Sequence, residues 1–361
     1  MLFIMMRCPN HKEIPASAVL GFCGECIRNN PSLLTMMKQV HMSFRKKEGL
    51  IPHIPRHGHF VCPECGNHCR MVEDEIGFCH TRQVRKGKVV GRYGEAVPVY
   101  SYFDPLPTNC VAGWVCSVSS SYGIGSSRPK NLAVFYGSCN SDCLFCQNTS
   151  YRSMMRTGSH LMTPDELAKV ADERTACVCY FGGDPACNPK HSVETSHLLN
   201  KRRRVRVCYE TNGNISRKWL DKISDIVRTT EGILKFDLKA LNPEIYQSLT
   251  GISNALVLKN FKRLAENGLK RDGEFLVASI LLIPGYIGSQ EVEDLTKFIA
   301  DCDPTIPTAL LGFYPHHRML DIPRTSVAHA ESALRIAKDS GLTNVRIGNR
   351  HLLSQDHYKF P

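Results

Sequence analysis

The chain has 361 residues, with 45 Lys and Arg against 34 Asp and Glu and a net charge of +11. That length supports a large core and one or two domains, and the charge permits acidic partners without requiring them. No apolar run approaches a membrane span. Met1 to Met6 is apolar but too short for a secretory signal, and no small-residue cleavage site follows it. Seventeen cysteines without such a signal point to a reducing cytoplasm, and to metal rather than disulfides.

The first segments are organised by metal spacing. Cys8-x2-His11 is followed by Cys23-x2-Cys26, paired knuckles that suit tetrahedral zinc. Residues 1–30 therefore read as a zinc-ribbon-like knuckle. Residues 31–60 read as a short helix, carrying Leu33, Leu34, Met36, Met37 and Val40, and a Pro- and His-rich linker. Residues 61–104 form a cysteine-rich segment built on Cys62, Cys65, Cys69 and Cys79, four thiols able to hold zinc or a second iron–sulfur cluster. Within it, residues 84–104 read as a hairpin region. Cys110 and Cys116 fall in a Ser/Gly-rich stretch, at a spacing that fits no ligand set, and are expected to be structural.

From residue 105 to 361 the pattern is α/β. Strands are expected at Asn131–Gly137, Cys177–Phe181, Val205–Glu210, Ile233–Leu238, Glu274–Ile283 and Thr308–Tyr314. Thr163-Pro164-Asp165-Glu166 is a capping box. Ser216 and Ser289 are expected N-caps, and a last helix should run from near Thr325 to a Gly341 cap. Six strand–helix units are too few for a closed eight-stranded barrel. The expected fold is a partial (β/α)6 TIM-type barrel, with function on the loops that leave the strand C-terminal ends. The run Lys201-Arg202-Arg203-Arg204 reads as a solvated helix end suited to the dipole rather than as a nucleic-acid patch.

The loop after the first of these strands carries Cys139-x3-Cys143-x2-Cys146, with Phe145 before the last cysteine. Three thiolates this close can wrap one iron–sulfur cluster, and a set of three leaves one iron without a protein ligand. An open coordination position is what a catalytic metal site needs. The second strand ends in Gly182-Gly183-Asp184-Pro185, where glycine lets backbone approach a ligand closely. The third ends in Glu210-Thr211-Asn212-Gly213. The fourth ends in Asp237-Leu238-Lys239, a pair of opposite charges that invites a zwitterionic ligand.

Together with the Cys62–Cys79 set and Gly348-Asn349, these motifs resemble the radical S-adenosylmethionine (SAM) enzymes. Within them they resemble the AmmeMemoRadiSam-system proteins and the activating enzymes related to that of pyruvate formate-lyase. The resemblance covers roughly Cys62 to Asn349 and leaves Cys8 to Cys26 unexplained. It implies a 4Fe-4S cluster on Cys139, Cys143 and Cys146, whose open iron is chelated by SAM. It also implies one-electron cleavage of SAM to methionine and a 5′-deoxyadenosyl radical, which abstracts hydrogen from substrate. The Gly182–Pro185 loop would receive the SAM amino group, with Asp184 in place of the usual Glu, and Lys239 would pair with the SAM carboxylate. Glu210, Thr211 and Asp237 match positions that hold a monovalent cation in the activating enzymes, with Glu210 in place of the usual Asp.

The reading is a cytoplasmic, activating-enzyme-like radical SAM enzyme. Its electron donor would be a ferredoxin or flavodoxin, and its substrate a protein or peptide. Two rivals are a zinc-ribbon RNA-binding protein and an iron–sulfur sensor or scaffold without catalysis. His316 and His317 could face substrate or be satisfied loop residues.

Overall fold

The computed structural model describes residues 6–106, 110–120, 128–266 and 274–361. Met1–Met5 of the apolar start, Pro107 and residues 121–127 of the Ser/Gly-rich stretch lie outside them. The N-terminal part contains α1 (Gly24–Asn29), α2 (Leu33–Lys47), the ribbon β1 (Phe60–Val61) with β2 (Arg70–Met71), and the hairpin β3 (Arg82–Arg85) with β4 (Lys88–Gly91). The hairpin expected over 84–104 is thus shorter than its segment. The remainder forms β5 (Val97–Pro105), which pairs antiparallel in the main sheet with β6 (Lys130–Tyr136). Seven antiparallel register pairs with a central strand outweigh closing a longer local hairpin.

Six of the strands are those the sequence predicts. They are β6, then, after β7 (Leu161–Met162), β8 (Thr175–Gly182), β9 (Arg206–Thr211), β10 (Leu234–Asp237), β11 (Leu276–Leu282) and β12 (Thr308–Gly312). A short β13 (Val345–Ile347) extends the parallel set, and the order β13-β12-β11-β10-β9-β8-β6-β5-β7 leaves the sheet open as a partial barrel. The helices that return the chain include α5 (Pro164–Val170), α6 (Pro189–Arg202), α7 (Arg217–Thr229), α8 (Pro243–Thr250), α9 (Ala255–Glu266), α10 (Ser289–Cys302) and α11 (Val327–Asp339). They follow α3 (Ser117–Ser120) and α4 (Tyr151–Thr157). Apolar and aromatic side chains at alternate strand positions, among them Val178, Tyr180, Val207 and Tyr209, are buried, and Tyr180 bonds Ser196 of α6 at 3.0 Å. No described helix is long and apolar enough to cross a membrane.

Local signals mostly act as read. The Thr163 capping box is complete, with Pro164 at the first turn. Helix α7 starts after Ser216, which holds the N-cap position without a side-chain cap bond, and buries Trp219, Leu220, Ile223 and Val227. Ser289 is not a cap: Gly288 holds that place, and the Ser289 hydroxyl donates to the Phe360 carbonyl at 2.8 Å. A tertiary acceptor on the C-terminal segment won over the local one. At α11 the cap is Ser326, one residue after Thr325, because Thr325 donates its hydroxyl to the Leu282 carbonyl. The basic run ends α6, and Arg202 and Arg204 pair with Asp165 and Glu231 at 2.9 and 2.7 Å.

The N-terminal knuckle docks on the loops after β10 and β11, at the strand C-terminal end of the sheet. Gly24 N–H donates to the Gly285 carbonyl at 2.7 Å, and the Ser17 N–H to the Tyr286 hydroxyl at 2.9 Å. The buried Glu291 carboxylate fixes this junction: it accepts from the Leu241 and Asn242 N–H groups and pairs with Arg28 at 2.5 Å. Replacing Glu291 with Ala strands those donors and removes the partner of Arg28. It should lower stability by about 2–4 kcal/mol in urea denaturation; a loss below about 0.5 kcal/mol, the size of an ordinary surface substitution, would show that the junction carries no such weight.

Candidate active site

The three motif cysteines leave β6 on a loop whose backbone is anchored on several sides. The Asp142 and Leu144 N–H groups donate to the Thr250 and Leu249 carbonyls at 2.8 and 3.0 Å. Asn140 donates to the Asn214 carbonyl at 3.0 Å, and Asn67 donates to the Asn140 carbonyl at 2.8 Å. Asn212 donates to Asn140 Oδ1 at 2.7 Å and to Ser141 Oγ at 3.1 Å. Asn67, Asn140, Asn212 and Asn214 thus replace regular ladder bonding in a buried loop, as satisfied polar networks must. Beneath the loop, Asp142 is buried and takes His41 Nδ1 at 2.8 Å and the guanidiniums of Arg152 and Arg45 at 2.7 and 3.4 Å. Burial alone would raise its pKa, but these partners hold it well below the carboxylate range.

Cys139, Cys143 and Cys146 open onto a cavity of about 250 Å³ at the strand C-terminal ends. Gly182, Gly183, Asp184, Glu210, Asn212, Asp237 and Lys239 line the same cavity, so motifs spread over a hundred residues meet there. The glycines are needed where the loop after β8 presses on the cysteine loop. A Cβ on Gly183 would stand 2.0 Å from the Ser138 carbonyl oxygen, and Gly182 has a φ of +88°. The Asp184 carboxylate is turned to the protein: it accepts from Ala186 N–H at 2.8 Å, Thr211 Oγ1 at 2.8 Å and Asn212 N–H at 2.7 Å. Burial still raises its pKa, to about 6, against the lowering effect of those donors. Pro185 starts the short 3-10 turn Pro185–Cys187.

The charged wall has a member the sequence reading missed. Lys235, buried one turn of the strand pleat before Asp237, sits between Glu210 and Asp237, 3.2 and 2.6 Å from their carboxylates. Lys239 stands 3.4 Å from Asp237, and Ser279 donates to Asp237 at 2.7 Å. Burial would raise the Asp237 pKa, but the two ammonium groups hold it well below the carboxylate range. The visible signal was the period of two: Lys235, Asp237 and Lys239 share one face of β10 and its extension.

Other expectations resolve as follows. His316 Nδ1 bonds the Cys146 carbonyl at 2.7 Å and braces the cysteine loop. Burial and the nearby Arg152 and Arg318 lower the His317 pKa to about 4. Asn349 exchanges two bonds with the Gly312 backbone, at 2.7 and 2.9 Å, and lines the cavity. Cys8, His11, Cys23 and Cys26 gather outside this cavity, with all ligand atoms within 4.8 Å of one another. Cys62, Cys65, Cys69 and Cys79 are all buried, and Thr81 Oγ1, 3.2 Å from Cys79 Sγ, donates to the carbonyl of Cys187, unremarked in the sequence, at 3.4 Å. Cys110 and Cys116 line a second, smaller cavity with Cys177, Cys179 and Cys208.

The Radical SAM superfamily model matches residues 133–299, from β6 into α10. An uncharacterized protein of Methanocaldococcus jannaschii is 26% identical over 304 residues, 80% of each chain. The indoleacetate decarboxylase activating enzyme of Tractidigestivibacter scatoligenes is 26% identical over 191 residues, 48% of this chain and 56% of that one. The pyruvate formate-lyase 1-activating enzyme of Escherichia coli K12 is 27% identical over 194 residues, 52% of this chain and 74% of that one. Residues 133–299, which match that model, hold the ends of β6, β8, β9 and β10 that build the cavity, and the chain is similar to radical SAM enzymes of the activating type.

Proposed function

We propose that Cys139, Cys143 and Cys146 hold the 4Fe-4S cluster, and that the enzyme abstracts hydrogen from a protein or peptide substrate presented at the barrel mouth. The observation that carries this reading is the convergence of three buried or half-buried thiols, the Gly182–Gly183 turn and Lys239 on one cavity. The donor set fits the group. Three thiols leave a cubane one open iron, and among the described residues Lys239 has Asp237, at 3.4 Å, as its ionic partner. When bound, the cluster and SAM supply the one-electron cleavage that yields methionine and a 5′-deoxyadenosyl radical.

The chain's own residues position that chemistry. The Lys239 ammonium meets the SAM carboxylate, and backbone carbonyls of Gly182 and Gly183 receive its amino group. Asp184 and Asn212 act one step back. Asp184 ties the ends of β8 and β9 together, and Asn212 fixes the cysteine loop. Thr211 serves Asp184 rather than a metal ion. The Lys235 ammonium supplies, between Glu210 and Asp237, the positive charge that a monovalent cation would otherwise bring.

The N-terminal knuckle is a structural zinc site. Cys8 and Cys26 sulfurs lie 3.6 Å apart, and His11 Nδ1 lies 3.3 Å from Cys23 and 3.5 Å from Cys26, separations that one tetrahedral ion spans. With no open ligand position it does no chemistry; docked beside the loops after β10 and β11, it recognises the protein substrate. The electron comes from a ferredoxin or flavodoxin, in the cytoplasm. The pairing of Arg202 and Arg204 with acids weighs against the RNA-binding alternative.

Two measurements check the cavity assignments. Lys239→Ala should weaken SAM binding to the reconstituted protein about tenfold to a hundredfold in calorimetry, the value of a charge-assisted bond of about 1.5–3 kcal/mol. Unchanged affinity removes Lys239 from the site. Wild-type SAM cleavage should be indifferent to exchange of sodium and potassium for a bulky organic cation. Lys235→Met leaves two carboxylates facing each other and should make cleavage depend on an added monovalent cation; a wild type that itself needs the cation refutes the role given to Lys235. Substrate class is tested by deuterium transfer into 5′-deoxyadenosine from glycine-deuterated candidate proteins, and transfer from small molecules alone would overturn it.

A further inference from the structure

We propose that a pocket outside the cavity of the three thiols, between the end of α2, α4 and the loop after β12, binds a phosphate group and so braces the loop of Cys139, Cys143 and Cys146. The site itself stands apart from the reading of that cavity; its effect on the loop rests on the cluster assigned there.

The pocket has a volume of about 290 Å³, far more than the roughly 30 Å³ of one water. Its walls are basic. Arg152 and Arg156, one turn apart, share a face of α4, and Ser153 adds a hydroxyl beside them. Arg318 comes from the loop after β12 and lies over the Phe44 ring of α2 at 4.3 Å. Glu48, directly after α2, is the one carboxylate among the described residues that line the pocket. It pairs with both Arg152 and Arg318.

That carboxylate does not balance the cations. Arg152 shares the buried Asp142 with Arg45, and Arg156 has no ion-pair partner among the described residues. Four guanidiniums thus meet two carboxylates, Asp142 and Glu48, which leaves two positive charges in excess. Arg45 is fully buried and the Arg152 side chain is only 7% exposed, so water offsets little of that excess. The hydrogen bonds show the same shortfall. Arg152 Nη2 and Arg318 Nε are buried without a partner among the described residues, where buried donors are nearly always satisfied. Guanidinium forks match the oxygens of phosphate. A phosphate monoester carries about −1.5 to −2 at neutral pH, the charge that the pocket lacks, whereas a carboxylate carries about half of it. Thr149 and Ser153 offer hydroxyls to the remaining oxygens.

The pocket wall is tied to the cysteine loop at three points. Arg152 donates to Asp142, between Cys139 and Cys143, at 2.7 Å. The Arg318 N–H donates to the carbonyl of Leu144, between Cys143 and Cys146, at 2.9 Å. His316, adjacent to His317 of the pocket wall, bonds the Cys146 carbonyl at 2.7 Å. A phosphate that draws Arg152 and Arg318 together therefore holds the loop from both sides.

The test uses the full chain, reconstituted without oxygen, with inorganic phosphate as the probe and chloride at matched ionic strength as the reference. Calorimetry should show one saturable phosphate site per chain; absence of saturable binding overturns the proposal. Arg156→Gln, at the exposed rim, leaves the buried pairs intact and should weaken binding at least about tenfold, the worth of one charge-assisted bond. Arg217→Gln, which removes an exposed cation on α7, should bind as the wild type does. Loss in both variants, or in neither, overturns the site. Acetate, with about half the charge, should bind at least about tenfold more weakly than phosphate; equal affinity overturns the choice of phosphate. Glycerol phosphate separates the sources: tighter binding than inorganic phosphate assigns the phosphate of a larger ligand, and equal or weaker binding assigns the free ion. Saturating phosphate should also slow release of iron to a chelator from the wild type and not from Arg156→Gln. A wild-type rate unchanged at saturation overturns the bracing of the loop. A chain that takes up no iron counts against the cluster, while the phosphate isotherm still decides the site.

Discussion

The buried carboxylate of Asp142 is the charge on which the arrangement depends. It lies within the loop of Cys139, Cys143 and Cys146, almost wholly removed from water, and a charge so placed must be paired. Its partners come from elsewhere in the chain: His41 and Arg45 from α2, and Arg152 from α4. Arg152 is held in turn by Glu48, which also takes Arg318 from the loop after β12. Arg45, itself fully buried, reaches the Phe78 carbonyl at 2.8 Å and stacks on the Phe78 ring, beside Cys79. One ion-pair network therefore fastens the N-terminal helix, the second cysteine set and the catalytic loop into a unit. Removing a partner weakens the compensation of a buried charge that anchors this loop, so residues outside the cavity help to hold the three thiols in place.

The cavity beyond that network is ordered by alternating charge. Glu210, Lys235, Asp237 and Lys239 form a row in which each carboxylate faces an ammonium, and Ser279 donates to Asp237 within it. Lys235 is satisfied on both sides, while Lys239 ends the row, over the ring of Phe145 at 5.6 Å. An anionic group entering the cavity meets Lys239 as the cation with least compensation. Strand β10 and its extension thus grade their side chains from closed pair to open acceptor of charge.

Much of this was legible from local pattern. The six parallel strands, the Thr163 capping box and the helix after Ser216 follow from periodicity and capping, which are properties of short segments. The motif cysteines, Gly182–Pro185 and Lys239 were legible because each sits at a strand end where chemistry of this kind is read. What escaped reading depends on partners distant in the chain. Lys235 looks like an ordinary strand residue until β9 brings Glu210 beside it. Asn67, Asn140 and Asn214 carry no motif and meet only when the loops after β6 and β9 fold against the ribbon. Ser289 has the chemistry of a cap, but the backbone carbonyl of Phe360 claims its hydroxyl first.

The most direct test is formation of 5′-deoxyadenosine by the anaerobically reconstituted chain, given SAM and a strong one-electron reductant. The account predicts that the wild type forms it together with methionine, and that the variant with Cys139, Cys143 and Cys146 replaced by Ala forms none. Undiminished 5′-deoxyadenosine from that variant would contradict the assignment of the catalytic cluster to these three thiols.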